Sequence, residues 1–269
     1  LLLLAACGDR SADDEPASTT PAGGGETPAF TTLEDGVLAV GSCLDYKPFE
    51  FVKDGDEMGF DVELSEEIAS RLGLEVKWVT ANFDTIFTSL DAGQFDMVAG
   101  AATITPARLD TVDFSDPYFN SRQGLTVNTE ETPEITSIDD IPEGAVVGAQ
   151  KGTTGKDYAD EHLGSRGVQV KTFEALPDAM TDLESGNIVA VVNDEGSSIA
   201  ETESRPSLEV VQAIDTEEVY GLALSKDNPE LTAAVNAALQ DLIDDGTYET
   251  IFKKWFPDLP VPPEFEAAS

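Results

Sequence analysis

Few side chains in this chain combine a chemical type with a spacing that implies chemistry, and Arg108 is the clearest of them. It lies in Thr103-Ile104-Thr105-Pro106-Ala107-Arg108. Thr105 is a good N-cap and Pro106 a good first helical residue, so Arg108 is predicted in the first turn of a helix. A cation there opposes the helix dipole. A guanidinium that forks onto a carboxylate gives a reason to keep it. A second candidate is Gly152-Thr153-Thr154-Gly155, which should open a helix whose free N–H groups attract anions. It is not a nucleotide loop, because Lys156 is followed by Asp157 rather than Ser or Thr. A third is Asp194, placed just after a predicted strand over 188–192, at the carboxyl end of a sheet where open α/β folds bind ligands. Glu195 beside it reads as structural or solvated. The single histidine, His162, falls in a predicted exposed helix, and without it no Ser/His/Asp set can be assembled. Asp54-Gly55-Asp56 lacks the continuation of an EF-hand. Neither a cofactor nor a metal site is expected.

The elements that must position these groups alternate. A strand over 37–41 precedes an amphipathic helix over 60–72, stopped by Gly73. A strand over 75–79, a helix over 83–92 ended by Gly93 and a strand over 95–99 follow. A second unit repeats the pattern: strand 145–148, a helix through about 163, strand 168–170, helix 175–184 ended by Gly186, strand 188–192. Leu90-Asp91-Ala92-Gly93-Gln94-Phe95 and Leu183-Glu184-Ser185-Gly186-Asn187-Ile188 echo each other. The chain then returns through a strand over 220–224, a helix over 229–244 and a last helix through Trp255. Such alternation implies mostly parallel, helix-flanked sheets, and the echo suggests two similarly built lobes.

Composition bounds the rest. The 269 residues suit one large domain or two smaller ones, and 41% hydrophobic content can fill a core. With 53 acidic against 15 basic residues the net charge is −38, which excludes general nucleic-acid binding. The acidity solubilises the surface, and it also fits adaptation to high salt, where self-repulsion is screened. The segment 1–7, Leu-Leu-Leu-Leu-Ala-Ala-Cys, reads as the end of a signal sequence, and its last four residues look like a lipobox that would lipidate Cys7. Residues 8–30, rich in Ser, Thr, Pro, Gly and acids, read as a disordered tether. No later stretch is apolar enough to span a bilayer. With Cys7 acylated, Cys43 would have no disulfide partner.

Several segments in order then resemble the bacterial extracellular solute-binding proteins of family 3, the polar amino-acid receptors of ABC importers. They are Val40-Gly41-Ser42 through Tyr46-Lys47-Pro48-Phe49-Glu50-Phe51, Gly59-Phe60-Asp61-Val62, Thr103 through Arg108, Val112-Asp113-Phe114-Ser115-Asp116-Pro117-Tyr118, Gln150 through Gly155, Asp245-Gly246-Thr247-Tyr248 and Lys253-Lys254-Trp255-Phe256. The order and spacing hold from about residue 33 to 257. The resemblance implies a type II periplasmic-binding-protein fold: two α/β lobes joined by two hinge strands, with the ligand in the cleft. Residues 31–122 plus 220–269 would form lobe 1 and 123–219 lobe 2, with crossings near 122–126 and 217–221.

The resemblance also assigns roles. Arg108, helped by Thr103, would hold the ligand's α-carboxylate, and Thr154 would reach it from the second lobe. Asp194 would bind the α-ammonium, joined by the backbone carbonyl of Ala101. Tyr46 and Phe83 would sandwich the side chain. Binders of basic amino acids commonly carry Asp where this chain has Cys43, and a thiol cannot balance a cation in the same way. On that ground a polar uncharged or acidic amino acid is expected, glutamine or glutamate ahead of cystine, with ectoine-type solutes as a further possibility. Asp45 could compensate if the loop differs. The partners implied are the small solute, a membrane permease and, through the anchor at Cys7, the outer face of the cell membrane; the protein itself is expected to act as a monomer. An enzyme of the dehydratase type on the same fold is the less favoured alternative.

Overall fold

The computed structural model describes residues 30–267; the expected signal remnant, lipidated Cys7 and the tether lie outside them, apart from Phe30 at the tether's end. The first lobe opens with β1 (Val37–Ser42), a hairpin-like sheet of β2 (Asp45–Tyr46), β3 (Glu50–Lys53) and β4 (Asp56–Met58), then α1 (Phe60–Leu72), β5 (Glu75–Thr80), α2 (Phe83–Asp91), β6 (Met97–Val98), α3 (Pro106–Leu109) and β7 (Asp113–Phe114). The second contains β8 (Phe119–Asn128), β9 (Val146–Gln150), α4 (Thr154–Leu163), β10 (Gln169–Phe173), α5 (Leu176–Glu184), β11 (Ala190–Asp194), α6 (Glu195–Thr202) and β12 (Leu208–Tyr220). The chain returns to the first with β13 (Ala223–Leu224), α7 (Pro229–Asp244) and α8 (Thr247–Trp255).

Each lobe is built on a five-stranded sheet, ordered β5-β1-β6-β13-β7 in one and β10-β9-β11-β8-β12 in the other. The parallel trios β5-β1-β6 and β10-β9-β11 have the same winding, and in both sheets the remaining strands pair antiparallel. The sequence echo has a physical basis. Gly93 and Gly186 both sit at φ 71°, a left-handed conformation that costs glycine little. Their N–H groups donate to Leu90 and Leu183, and the next residues, Gln94 and Asn187, donate to Ser89 and Asp182. The same helix stop therefore aims the same strand in both lobes.

Several details differ from the sequence reading. The expected strand 95–99 is regular only over Met97–Val98, although the Asp96 and Ala99 N–H groups still donate to the Ala39 and Gly41 carbonyls of β1. The expected strand 188–192 runs instead over Ala190–Asp194, which makes Asp194 its last residue. The expected strand 220–224 is divided between the end of β12 and β13. The small β2-β3-β4 sheet, helix α6 and the length of β12 were not foreseen.

β8 and β12 tie the two lobes together. They pair at one end as Phe119↔Tyr220 to Ser121↔Glu218 and at the other as Gln123↔Ile214 to Asn128↔Leu208, with an irregularity between, where Glu217 adopts φ 51°. An aromatic cluster anchors the first end. Phe49 and Phe256 lie 5.0 and 4.9 Å from Phe119, and the Tyr220 ring stacks on it at 5.6 Å. Phe60, fully buried, meets the same group edge-on; truncating such a residue to Ala costs about 3–5 kcal/mol. The crossings therefore start from a rigid base.

Candidate functional site

The geometry of the site begins with α3, a single turn. Thr105 caps it by accepting from the Arg108 N–H at 3.2 Å, with Pro106 next. This short helix leaves the Arg108 side chain to fold back toward the interlobe cleft. Its guanidinium donates to the Thr103 carbonyl at 2.7 Å and, across the cleft, to the Gly152 carbonyl at 3.2 Å. It lies over the rings of Phe83 and Phe87, 5.1 and 4.8 Å from their centres, a cation–π arrangement that fixes its plane. Among the described residues no carboxylate comes within 4 Å of it. Burial lowers its pKa, but an arginine stays charged.

Opposite, β11 ends in Asp194. Its carboxylate accepts from the Tyr46 and Tyr220 hydroxyls, each at 2.7 Å, and from the Gln123 amide at 2.5 Å. Burial, and then the nearby Glu218 charge, raise its pKa to about 6, against the pull of those donors. Tyr46 also accepts from Asn193 at 2.8 Å, so one phenol of the first lobe joins two residues of the second. Ala101 sits at φ 46°, held there by its N–H donating to the buried Asp61 carboxylate at 2.8 Å, which also accepts from Tyr118. Burial raises the Asp61 carboxyl to about 6.

All seven residues singled out from sequence line one cavity between the lobes: Tyr46, Phe83, Ala101, Thr103 and Arg108 on one wall, Thr154 and Asp194 on the other. As the lobes stand, it leaves about 10 Å³ for the centre of a water-sized sphere, room for roughly one water. Cys43 lines the same cavity, and burial followed by the Glu50, Asp45 and Asp84 charges pushes its thiol well up, so it is neutral. His162 lies elsewhere, on the exposed face of α4 and stacked on Tyr158. Glu195 pairs with Arg122 on the outside of the crossing.

Several residues in or beside the cavity went unassigned by sequence reasoning, Glu218, Gln123 and Glu50 among them. Glu218 is buried in β12 and accepts from Thr103, Thr154, Gln123 and Thr216. Gln123 of β8 links Asp194 to Glu218. Glu50 lines the cavity next to Cys43. None stands out in the sequence: Glu218 and Gln123 fall in the polar runs Asp215-Thr216-Glu217-Glu218 and Ser121-Arg122-Gln123, and Glu50 differs from other acids only in having an aromatic residue on each side.

Known proteins resemble this chain in sequence and in fold. A probable histidine-binding protein of Campylobacter jejuni is 32% identical over 229 residues, covering 84% of this chain and 86% of that one. An L-cystine-binding protein of Escherichia coli is 32% identical over 225 residues, covering 83% and 84%. An ancestral arginine-binding protein, solved with arginine bound, superposes with a TM-score of 0.79 at 37% identity, covering 82% of this chain and 98% of that one. Residues 38–258 match the family described as bacterial extracellular solute-binding proteins, family 3. Sequence, fold and relatives agree, and this chain belongs to that family.

Proposed function

We propose that this protein is the substrate-binding component of an ABC importer and that it captures a free polar amino acid by closing its two lobes over it. The observation that carries the reading is the arrangement of Arg108 and Asp194. A cation without a carboxylate of its own and a buried carboxylate face one small cavity from opposite lobes. A zwitterion satisfies both at once, its carboxylate on Arg108 and its ammonium on Asp194. Because the two contacts belong to different lobes, only the closed arrangement makes both, so the ligand stabilises closure by its differential contacts. Tyr46 and Phe83 supply the apolar walls and the Ala101 carbonyl a further acceptor for the ammonium. In this reading Cys7 anchors the protein to the outer face of the membrane, the tether lets it reach a permease, and no bond is made or broken in the bound solute.

The side-chain chemistry of the ligand is the finer question. Cys43, standing where an Asp would favour basic ligands, supports glutamine or glutamate, then cystine or an ectoine-type solute. Glu50, on the same wall, weighs the other way. A thermal-shift screen of the purified protein against the amino acids, cystine and ectoine tests the function itself. A ligand present at about 100 times its Kd stabilises by roughly 2.7 kcal/mol. The shift should vanish in Arg108→Ala and Asp194→Ala. No shift with any compound, or an undiminished shift in both variants, would reject the reading.

A further inference from the structure

Glu50 is the first residue of β3, paired in register with Tyr46 and flanked by the aromatic rings of Phe49 and Phe51. It is 1% exposed, yet its side chain forms part of the cavity wall. It accepts no hydrogen bond among the described residues, and its Oε2 is enclosed without a partner. No lysine or arginine among them comes within 4 Å. Its Oε1 lies against Gly100, also in the wall, 3.4 Å from where a Cβ would stand. A buried carboxyl left unpaired is costly to keep, and a structural acid is normally matched by donors inside the fold. Asp194 shows that contrast, with three donors, and Asp61 shows it in part, with two donors on one oxygen and none on the other.

We propose that Glu50 is the specificity residue of this cleft and that the ligand's side chain is cationic, as in an amino acid ending in a guanidinium or ammonium group. The inference rests on the assignment of Arg108 and Asp194 above. The ionisable groups of the wall, with the Cys43 thiol and the Tyr46 phenol neutral, are then one cation and two carboxyls. The ligand's α-carboxylate answers Arg108 and its α-ammonium answers Asp194. Glu50 remains, and a positive side chain answers it. Burial, with the charges of Asp61, Asp45 and Asp194 behind it, pushes the Glu50 carboxyl well up, and a cation beside it draws it back toward the charged form. The same cluster repels an acidic side chain. The acid that Cys43 fails to supply is thus provided from the neighbouring strand.

The test is titration calorimetry of the purified protein with L-arginine, L-lysine, L-glutamine and L-glutamate at pH 7.5, in phosphate and in Tris. Arginine or lysine should bind about 30-fold or more tighter than glutamine, and glutamate should give no heat. Any proton that leaves Glu50 on binding shows as a difference in apparent enthalpy between the two buffers. Glu50→Gln should erase the preference for the basic ligand over glutamine. Its circular-dichroism spectrum reports that the variant is folded, and the wild-type ranking decides the matter should it not be. Glutamine or glutamate binding tighter than arginine and lysine, or a preference that survives Glu50→Gln, would overturn this inference and leave the amino-acid reading standing. Failure of every amino acid to bind would overturn both.

Discussion

Thr103 and Thr154, on facing lobes, donate their hydroxyls to the same oxygen of Glu218, at 2.6 and 2.8 Å. Each hydroxyl has one proton, so while it is given to Glu218 the threonine offers only lone pairs to the cavity. A ligand carboxylate held by these threonines and Arg108 must draw those protons away from a buried carboxylate. Glu218→Gln removes the competing charge and leaves a weaker acceptor. We expect it to tighten amino-acid binding several-fold, on the order of 1 kcal/mol. Calorimetry with the best ligand checks this, and weaker binding in the variant would show that Glu218 assists the ligand instead of competing with it.

Gly152 is where the lobes touch by backbone. It adopts φ 77°, and a Cβ placed on it would stand 2.8 Å from the Asp84 Cα, with the Lys151–Asp84 ion pair alongside at 2.8 Å. Asp84 belongs to α2 and cannot retreat as a flexible side chain would. Gly152→Ala should leave both lobes folded and hold them apart. Affinity should fall about ten-fold or more, and the empty protein should melt somewhat lower because alanine is strained at this positive φ. Small-angle scattering should show less contraction on ligand addition than in the wild type; equal contraction would count against this contact as a limit on closure.

Stability should depend on pH through buried acids. Asp45, Asp61 and Asp194 are each raised to about 6, mainly by burial; Asp178 and Glu201 add for Asp45, and Glu218 for Asp194. An aspartate in the unfolded chain titrates near about 3.9. Between these values the folded state holds more protons, so stability falls as pH rises from about 4 to 6. For Asp194 the loss is at most about 3 kcal/mol. Asp245, held at about 2 by Thr247 and Arg71, acts in the opposite sense only below about pH 4. The empty protein should melt several degrees higher at pH 5 than at pH 7.5. Asp194→Asn should reduce that difference while weakening binding. Melting temperatures that rise across this interval would contradict the account.

The net charge of −38 sets a separate expectation. At about 0.1 M salt the Debye length is about 10 Å, and at 1 M about 3 Å. Raising KCl across that range should relieve repulsion among the surface acids and raise the melting temperature. Potassium chloride avoids the general stabilisation given by sulfate. An unchanged melting temperature would leave the acidity as a matter of solubility alone.

Local rules made much of this molecule legible. The helix Phe60–Leu72, the helix Pro229–Asp244 and the matched stops at Gly93 and Gly186 depend on neighbours within a few residues, which the chain spells out. So does the capped turn that carries Arg108. The ordered motifs from Val40 to Phe256 identified the family and, through it, seven of the residues that line the cavity. What the sequence could not show is which of 53 acids would be withdrawn from water. Glu218 meets Thr103 across 115 positions of chain, and Gln123 meets Asp194 across 71; no periodicity encodes such meetings. Glu50 reads as one more acid until packing encloses it without a partner. Backbone propensity and chain order are local quantities, whereas burial and the pairing of charges arise only when distant segments close over one another, and in this protein those decide what the cleft can hold.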